Sequence, residues 1–170
     1  PIAVREVIDE TIRGMQALID EKKQTLQIII PGDLPPILAD HTRMVQVMTN
    51  LVSNATKYTP EEGKIVVGAR LQNVRDEATG ETHPMVLHYV TDTGIGMSPE
   101  DLQKLFTKFF RTDSGRNMAQ GTGLGLNITR SLIERHGGRI WVESEVGAGT
   151  TFSYLIPIAD LRAEYPKAAD

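Results

Sequence analysis

The chain contains no cysteine among its 170 residues, and several other features are scarce. The missing thiols exclude disulfides, thiolate nucleophiles and cysteine-ligated zinc, and they fit a reducing compartment. No apolar stretch approaches the roughly 18 residues that a membrane span needs. The net charge is -4 without any basic run, which argues against nucleic acid as a ligand. What remains is one domain, large enough to bury roughly 70% of its unfolded surface.

The N-terminal end, Pro1-Ile2, has neither an initiating Met nor the features of a signal peptide. Such a start is typical of a piece of a longer protein. We therefore expect any membrane segment of the parent to lie outside this chain, and we expect no direct membrane contact.

Several segments carry helix signals. Asp40 suits the N-cap of a helix that runs to about Thr56, and Ser98-Pro99 suits the start of a shorter one. Gly137 suits the left-handed residue that follows a further helix. The apolar positions that define the first and the last helix are Val4, Ile8, Ile12, Met15 and Ile19, and Ile128, Leu132 and Ile133.

Five short runs are predicted to be strands: Leu26–Ile30, Ile65–Gln72, Met85–Thr91, Arg139–Glu145 and Thr150–Pro157. The connection Asn73–Pro84 is polar and is predicted to be a mobile excursion. Thr112–Gln120 has no apolar periodicity and is predicted to be a flexible lid. We expect the domain to span residues 1–158, followed by a frayed tail at 159–170. The fold class that follows is α/β, a two-layer sandwich in which helices cover one face of a mixed sheet.

A stripe of polar side chains lies along the second predicted helix. At 100° per residue, Gln46, Asn50, Asn54 and Lys57 share one narrow face, opposite an apolar face. A solvated surface is the alternative interpretation, although such surfaces usually alternate Glu and Lys. An amide oxygen together with a triphosphate is a chemically sensible ligand set for Mg²⁺.

The segment Asp92-Thr-Gly94-Ile-Gly96 follows a predicted strand and precedes a capped helix. An ionised carboxylate only accepts hydrogen bonds, so aimed at a base it favours the amino group of adenine over the carbonyl of guanine. Gly94 and Gly96 permit close backbone approach and positive φ. Taken alone, such a segment is more often an ordinary turn.

A third glycine-rich segment, Gly121-Thr122-Gly123-Leu124-Gly125, opens a predicted helix. Its backbone N–H groups and the helix dipole suit phosphate, with Arg111 as a further charge partner. The spacing matches neither a dinucleotide-binding fingerprint nor a P-loop, and a tight strand-to-helix turn is the alternative. The turn Gly147-Ala-Gly149 is predicted to shape a hairpin near the same pocket, and we place Thr151 after it in the nucleotide site.

The order of these segments and their residue patterns closely resemble the catalytic ATP-binding domain of sensor histidine kinases. The resemblance covers the chain from about Val4 to Ile156 and implies a Bergerat-type fold that binds ATP and Mg²⁺. It implies that Asn54 holds Mg²⁺ and that Lys57 and Tyr58 contact phosphate and adenine. The other nucleotide contacts expected are Asp92, Gly94, Gly96, Arg111, Gly121, Thr122, Gly123, Leu124, Gly125 and Thr151.

In several hydrolytic relatives a Glu stands four residues before the Mg²⁺-binding Asn, and here that position is Asn50. An amide cannot take a proton, which favours the kinase branch over ATP hydrolysis and leaves Asn50 and Asn54 as the catalytic candidates. None of the four histidines lies in a phosphoacceptor motif. We expect a dimerisation and phosphoacceptor domain of the parent to supply that histidine, with a response regulator as an indirect partner. A cytoplasmic location is expected, and a nucleotide-binding regulatory module without phosphoryl transfer, such as a pseudokinase or ATPase switch, is the alternative.

Overall fold

The structure is a computed structural model that describes residues 1–106 and 125–159. The segments predicted to be a lid and a frayed tail lie outside the described residues, apart from Ala159. The helices are α1 (Val4–Glu21), α2 (His41–Tyr58), α3 (Pro99–Lys104) and α4 (Gly125–Arg135), and the strands are β1 (Thr25–Ile29), β2 (Lys64–Arg75), β3 (Thr82–Asp92), β4 (Arg139–Glu145) and β5 (Gly149–Pro157).

The strands form one mixed sheet in the order β1-β2-β3-β5-β4. β1 and β2 run parallel, and all other neighbours are antiparallel. On one face, Val67, Val90 and Phe152 lie side by side across the three central strands and are buried. Helices α1, α2 and α4 pack their apolar stripes on this face and complete a single core. The predicted two-layer sandwich with helices on one face is confirmed.

The helix boundaries follow the capping residues seen in the sequence. The carboxylate of Asp40 accepts a hydrogen bond from Arg43 N at 2.9 Å, which satisfies one of the free N–H groups at the start of α2. The hydroxyl of Ser98 accepts in the same way from Asp101 N at 3.2 Å before α3. Helix α2 ends at Tyr58, so it is slightly longer than predicted. In the part of the chain that the structure describes, no helix is both long enough and apolar enough to cross a membrane.

The prediction of a mobile excursion over Asn73–Pro84 is wrong, because the connection is shorter than that range. The hairpin ladder continues until Arg75 pairs with Thr82, leaving a turn over residues 76–81. Asp76 organises this turn, because its carbonyl accepts from Gly80 N at 2.7 Å and its Oδ1 from Ala78 N at 2.8 Å. Both faces of this end of the hairpin are largely exposed, so a paired strand here needs no apolar alternation.

The described fold extends one residue past the predicted domain end at 158. Ile158 forms a bridge with Ile37, and Ala159 N donates to Pro36 O at 2.9 Å. Ala159 is also buried, so it belongs to the packed domain.

Candidate functional site

Asp92 is the last residue of β3, and its side chain points to the helix-covered face of the sheet. It pairs in register with Ile65 on one side and Thr150 on the other, and it is only 7% exposed. Its Oδ1 accepts a hydrogen bond from Gly94 N at 2.8 Å. Burial raises the pKa of this carboxyl, and hydrogen bonds from the backbone of Gly94 and Thr150 offset part of the rise. A buried carboxylate of this kind is a candidate for ligand recognition.

The loop after Asp92 is pressed against two other segments of backbone. A Cβ at Gly94 would overlap the carbonyl oxygen of Tyr58, and one at Gly96 would overlap that of Glu145. Gly96 also has φ +68°, the left-handed region that favours glycine. The predicted need for close backbone approach is therefore real at both positions. The backbones that come close together all belong to the protein. They are the end of α2, the loop after Asp92 and the β4–β5 hairpin.

The C-terminal half of α2 carries the other candidate residues near this loop. Asn54 and Tyr58 are half-buried on the helix, and Lys57 is exposed. Tyr58 O accepts a hydrogen bond from Ile95 N at 3.3 Å, which ties the helix end directly to the Asp92 loop. The structure thus brings the amide stripe and the acidic loop together at one end of the sheet.

Two residues that the sequence analysis missed hold the end of α2 in place. Lys22, just after α1, donates from Nζ to the carbonyls of Thr56 at 2.6 Å and Thr59 at 2.8 Å. Gln24 donates from Nε2 to the same two carbonyls, at 3.0 and 2.9 Å. A cation at a helix C-terminus complements both the free carbonyls and the dipole. Nothing local in the sequence marks these contacts, because they join residues more than 30 positions apart.

Asn50 contacts the start of α4. Its Nδ2 donates to Thr129 Oγ1 at 3.1 Å and lies 3.4 Å from Gly125 O. With its donor directed at α4, Asn50 links the amide stripe to the helix that follows the third glycine-rich segment. The side chain has no proton-accepting nitrogen, so it offers no general base for water.

The side chain of Thr151, predicted to lie in the nucleotide site, points away from Asp92, so its contact with a nucleotide stays a prediction that the position of Asp92 does not support. Thr151 pairs with Thr91, and their hydroxyls lie 3.0 Å apart. Successive side chains on a strand point to opposite faces, so Thr91 and Thr151 lie on the face that the helices do not cover. Thr150 lies opposite Asp92 and is buried beside it. Strand register, which cannot be read from the sequence, determines which of these two adjacent threonines lies beside Asp92.

Arg111, Gly121, Thr122, Gly123 and Leu124 lie outside the described residues, and so does the predicted lid. Gly125 is described as the first residue of α4. Phe106, at the other border of the gap, packs against the core and lies under the Arg130 guanidinium, 5.6 Å from ring centroid to Cζ. Phe106 therefore has a packing role in the described fold.

The described residues suit a magnesium ion that is held mainly by a nucleotide. Among them, no group of three His, Asp or Glu side chains could form a protein-only metal cage. Mg²⁺ favours oxygen ligands and keeps several waters, so one amide oxygen plus phosphates is a sufficient set. The half-buried amide of Asn54 fits that requirement.

Each of the four histidines packs against, or lies close to, other groups of the protein. His88 is buried in the sheet and stacks on Tyr154 with a centroid distance of 4.5 Å, and burial lowers its pKa to about 4. His136 accepts from Asp40 N at 3.2 Å through Nε2, and its Nδ1 lies 2.7 Å from Leu132 O, which fixes the tautomer with the proton on Nδ1. The remaining two, His41 and His83, lie beside Glu10 and Glu81.

Comparison with known proteins agrees with this geometry. Residues 39–160 match the family described as histidine kinase-, DNA gyrase B- and HSP90-like ATPase. The fold also matches the catalytic domain of the histidine kinase ThkA with a TM-score of 0.75 and 30% identity, covering 92% of this chain and 95% of that one. The chain therefore belongs to this ATPase family and, within it, to the catalytic domains of histidine kinases.

Two curated relatives place the domain in longer proteins. Drug sensory protein A of Synechocystis sp. is 38% identical over 154 residues, which is 90% of this chain and 23% of that protein. The adaptive-response sensory kinase SasA of Thermosynechococcus vestitus is 36% identical over 155 residues, which is 91% of this chain and 38% of that protein. The chain thus spans less than half the length of either relative.

Proposed function

We propose that this domain binds Mg·ATP and presents the γ-phosphate to a histidine on a dimerisation and phosphoacceptor domain of its parent protein. A response regulator would receive the phosphoryl group in a later step. Because the reaction consumes ATP, we place the domain in the cytoplasm.

The observation that carries the proposal is the buried carboxylate of Asp92 beside the end of α2. Such a carboxylate accepts hydrogen bonds, so it suits the amino group of adenine and disfavours the carbonyl of guanine. The hydrogen bond that Ile95 N donates to Tyr58 O ties the end of α2 to the loop that follows this carboxylate. The residues proposed to bind the base and those proposed to bind phosphate can therefore contact the same nucleotide.

In this proposal each residue has a limited task. Tyr58 lies against adenine, Lys57 contacts phosphate, and Asn54 would hold Mg²⁺, which supplies charge neutralisation during transfer when it is bound. The segment Gly121–Gly125 and Arg111 contribute further phosphate contacts. Catalysis here consists of positioning and charge stabilisation, because the attacking imidazole belongs to another domain.

The test is incubation with γ-labelled ATP, with the chain alone and with a separately produced phosphoacceptor fragment of the parent. We expect acid-labile label on the fragment only, and neither self-labelling nor appreciable hydrolysis by the chain. Asn54→Ala should abolish the transfer. Asn73→Ala is the matched control, since Asn73 is an exposed amide in the part of β2 near the hairpin turn.

Label on the chain itself would mean that one of its histidines is a phosphoacceptor despite its structural contacts. Absence of label in both mixtures, with ATP still bound, would refute phosphoryl transfer and leave a binding module. Loss of transfer in Asn73→Ala as well as Asn54→Ala would remove the specific role of Asn54.

A further inference from the structure

Ser144, in the edge strand β4, contacts three groups of the candidate site at once. Its hydroxyl oxygen lies 2.9 Å from Met97 N, 2.9 Å from Gly149 O and 2.7 Å from Thr150 Oγ1. These contacts join the loop after Asp92 to the start of β5. Ser144 thus links the two segments that flank the buried carboxylate, although it belongs to neither.

The chemistry of the three partners fixes the direction of each hydrogen bond. Met97 N–H can only donate, and the carbonyl of Gly149 can only accept. Ser144 has a single proton, so if that proton goes to Gly149 O, the 2.7 Å contact needs the proton of Thr150. This is the only assignment that satisfies all three contacts together. It directs the hydroxyl proton of Thr150 at Ser144 and leaves the lone pairs of Thr150 available.

We infer that Ser144 is a positioning residue that sets the base selectivity of this site by holding Thr150 as a hydrogen-bond acceptor. Thr150 is buried and lies opposite Asp92 on the same face of the sheet. An ionised Asp92 is also an acceptor, so the wall presents two acceptors side by side. For a purine held in one orientation, such a wall can accept both hydrogens of the exocyclic amino group of adenine, and it repels the carbonyl oxygen that guanine carries at the same ring position.

The inference rests on the proposed function, since it names what selects the nucleotide at that site. Without Ser144, the hydroxyl of Thr150 is free to rotate and can donate to the carbonyl of guanine. The same change removes the acceptor of Met97 N–H and loosens the loop after Asp92. A residue that only supported the fold would weaken all nucleotides equally and would leave their ratio unchanged.

The experiment compares the dissociation constants of ATP and GTP for the unaltered chain, Ser144→Ala, Thr150→Val and the double variant. We expect the preference for ATP to fall several-fold, up to about tenfold, in Ser144→Ala, as is typical for one neutral hydrogen bond. The double variant should lose no more preference than Thr150→Val does, because Ser144 acts through Thr150. Ser144→Thr keeps a hydroxyl and should restore the preference.

Ser153→Ala is the matched control, because it removes a buried serine hydroxyl from the opposite face of β5. Hydrogen exchange of the Met97 amide, without nucleotide, should accelerate in Ser144→Ala and stay unchanged in Ser153→Ala. An unchanged ATP-to-GTP ratio in Ser144→Ala, or additive losses in the double variant, would overturn the inference. A lack of preference for ATP in the unaltered chain would overturn the base-reading role of Asp92 in the proposed function, whereas the Met97 exchange would still decide the contact with Ser144.

Discussion

The two ends of the central hairpin use the same residue types under different physical constraints. At the turn between β2 and β3, Gly80 has φ +74° and a Cβ there would find its nearest atom 3.8 Å away. At the site end, Gly96 has a similar φ of +68°, yet a Cβ would overlap the backbone of Glu145. The turn needs glycine for conformation alone, whereas the site needs it for conformation and for space.

Aspartates show the same contrast. Asp76 at the turn accepts hydrogen bonds from its own neighbours, a local motif that stabilises the turn in place. Asp92 is buried, and its raised pKa shows that the ionised form is held at a cost to folding. A group kept at such a cost is typical of a functional position. The site end is therefore the constrained end, and variants at matched positions test this.

The largest effect is expected for Gly96→Ala compared with Gly80→Ala. A left-handed φ costs a non-glycine residue about 1–2 kcal/mol, and both variants bear that cost. Only Gly96→Ala also forces backbone apart, so we expect a loss of at least about 3 kcal/mol in unfolding free energy and of ATP binding. Urea titration of both variants measures the difference. Equal losses would show that the site end is no more crowded than the turn.

The next effect concerns Asp92→Asn compared with Asp76→Asn. Loss of a hydrogen bond to a charged acceptor costs about 1.5–3 kcal/mol, so ATP should bind roughly 10- to 100-fold more weakly to Asp92→Asn. Asp76→Asn keeps an acceptor oxygen far from the site and should leave affinity unchanged. Calorimetric titration of both variants with ATP decides this, and equal affinities would remove Asp92 from the site.

The stability of Asp92→Asn carries a pH signature. The pKa of Asp92 is raised in the folded state, so its stabilising contribution is present at low pH, below the unfolded pKa, and is lost as pH rises through the folded pKa. At neutral pH the variant should therefore be as stable as the unaltered chain or more so. This advantage should fade on acidification, and an advantage that grew in acid would contradict the raised pKa.

Much of this fold could be predicted from local signals. The caps at Asp40 and Ser98 and the alternation of the central strands were readable because each depends on residues a few positions apart. The extension of the hairpin was not readable, since its exposed ladder needs no apolar pattern. The sequence also predicted Asp92 as a base-reading residue from the acid and two glycines that follow a strand. The structure buries this side chain, and its role stays a prediction.

What the sequence could not supply is contact between distant segments. The choice between Thr150 and Thr151 depends on strand register, and the bridging role of Ser144 depends on two loops that meet in space. The same holds for Lys22, whose partners lie at the far end of another helix. The neighbours of these residues in the sequence form no recognisable motif, so their contacts cannot be predicted from residue spacing.

A smaller effect is expected for Lys22→Met compared with Lys23→Met. Methionine keeps the apolar stem and removes the ammonium group that bonds the carbonyls of Thr56 and Thr59. We expect a loss of about 1–2 kcal/mol in unfolding free energy and weaker ATP binding, because the end of α2 carries Lys57 and Tyr58. Lys23 is exposed and should tolerate the change. A loss of stability with unchanged ATP affinity would separate this clamp from the site.

The smallest effect is an increase in stability from Gly14→Ala, which extends the comparison of glycines to a helix. Gly14 lies on the exposed side of α1, and a Cβ there would meet no atom within 4 Å. Alanine in an exposed helix interior is favoured over glycine by about 0.5–1 kcal/mol, because the unfolded chain loses less conformational freedom on folding. Thermal unfolding should shift upward by about 1–4 °C with ATP affinity unchanged. A loss of stability would mean that the open surface around Gly14 is occupied. A gain would show that crowding distinguishes the glycines of the site from a replaceable one.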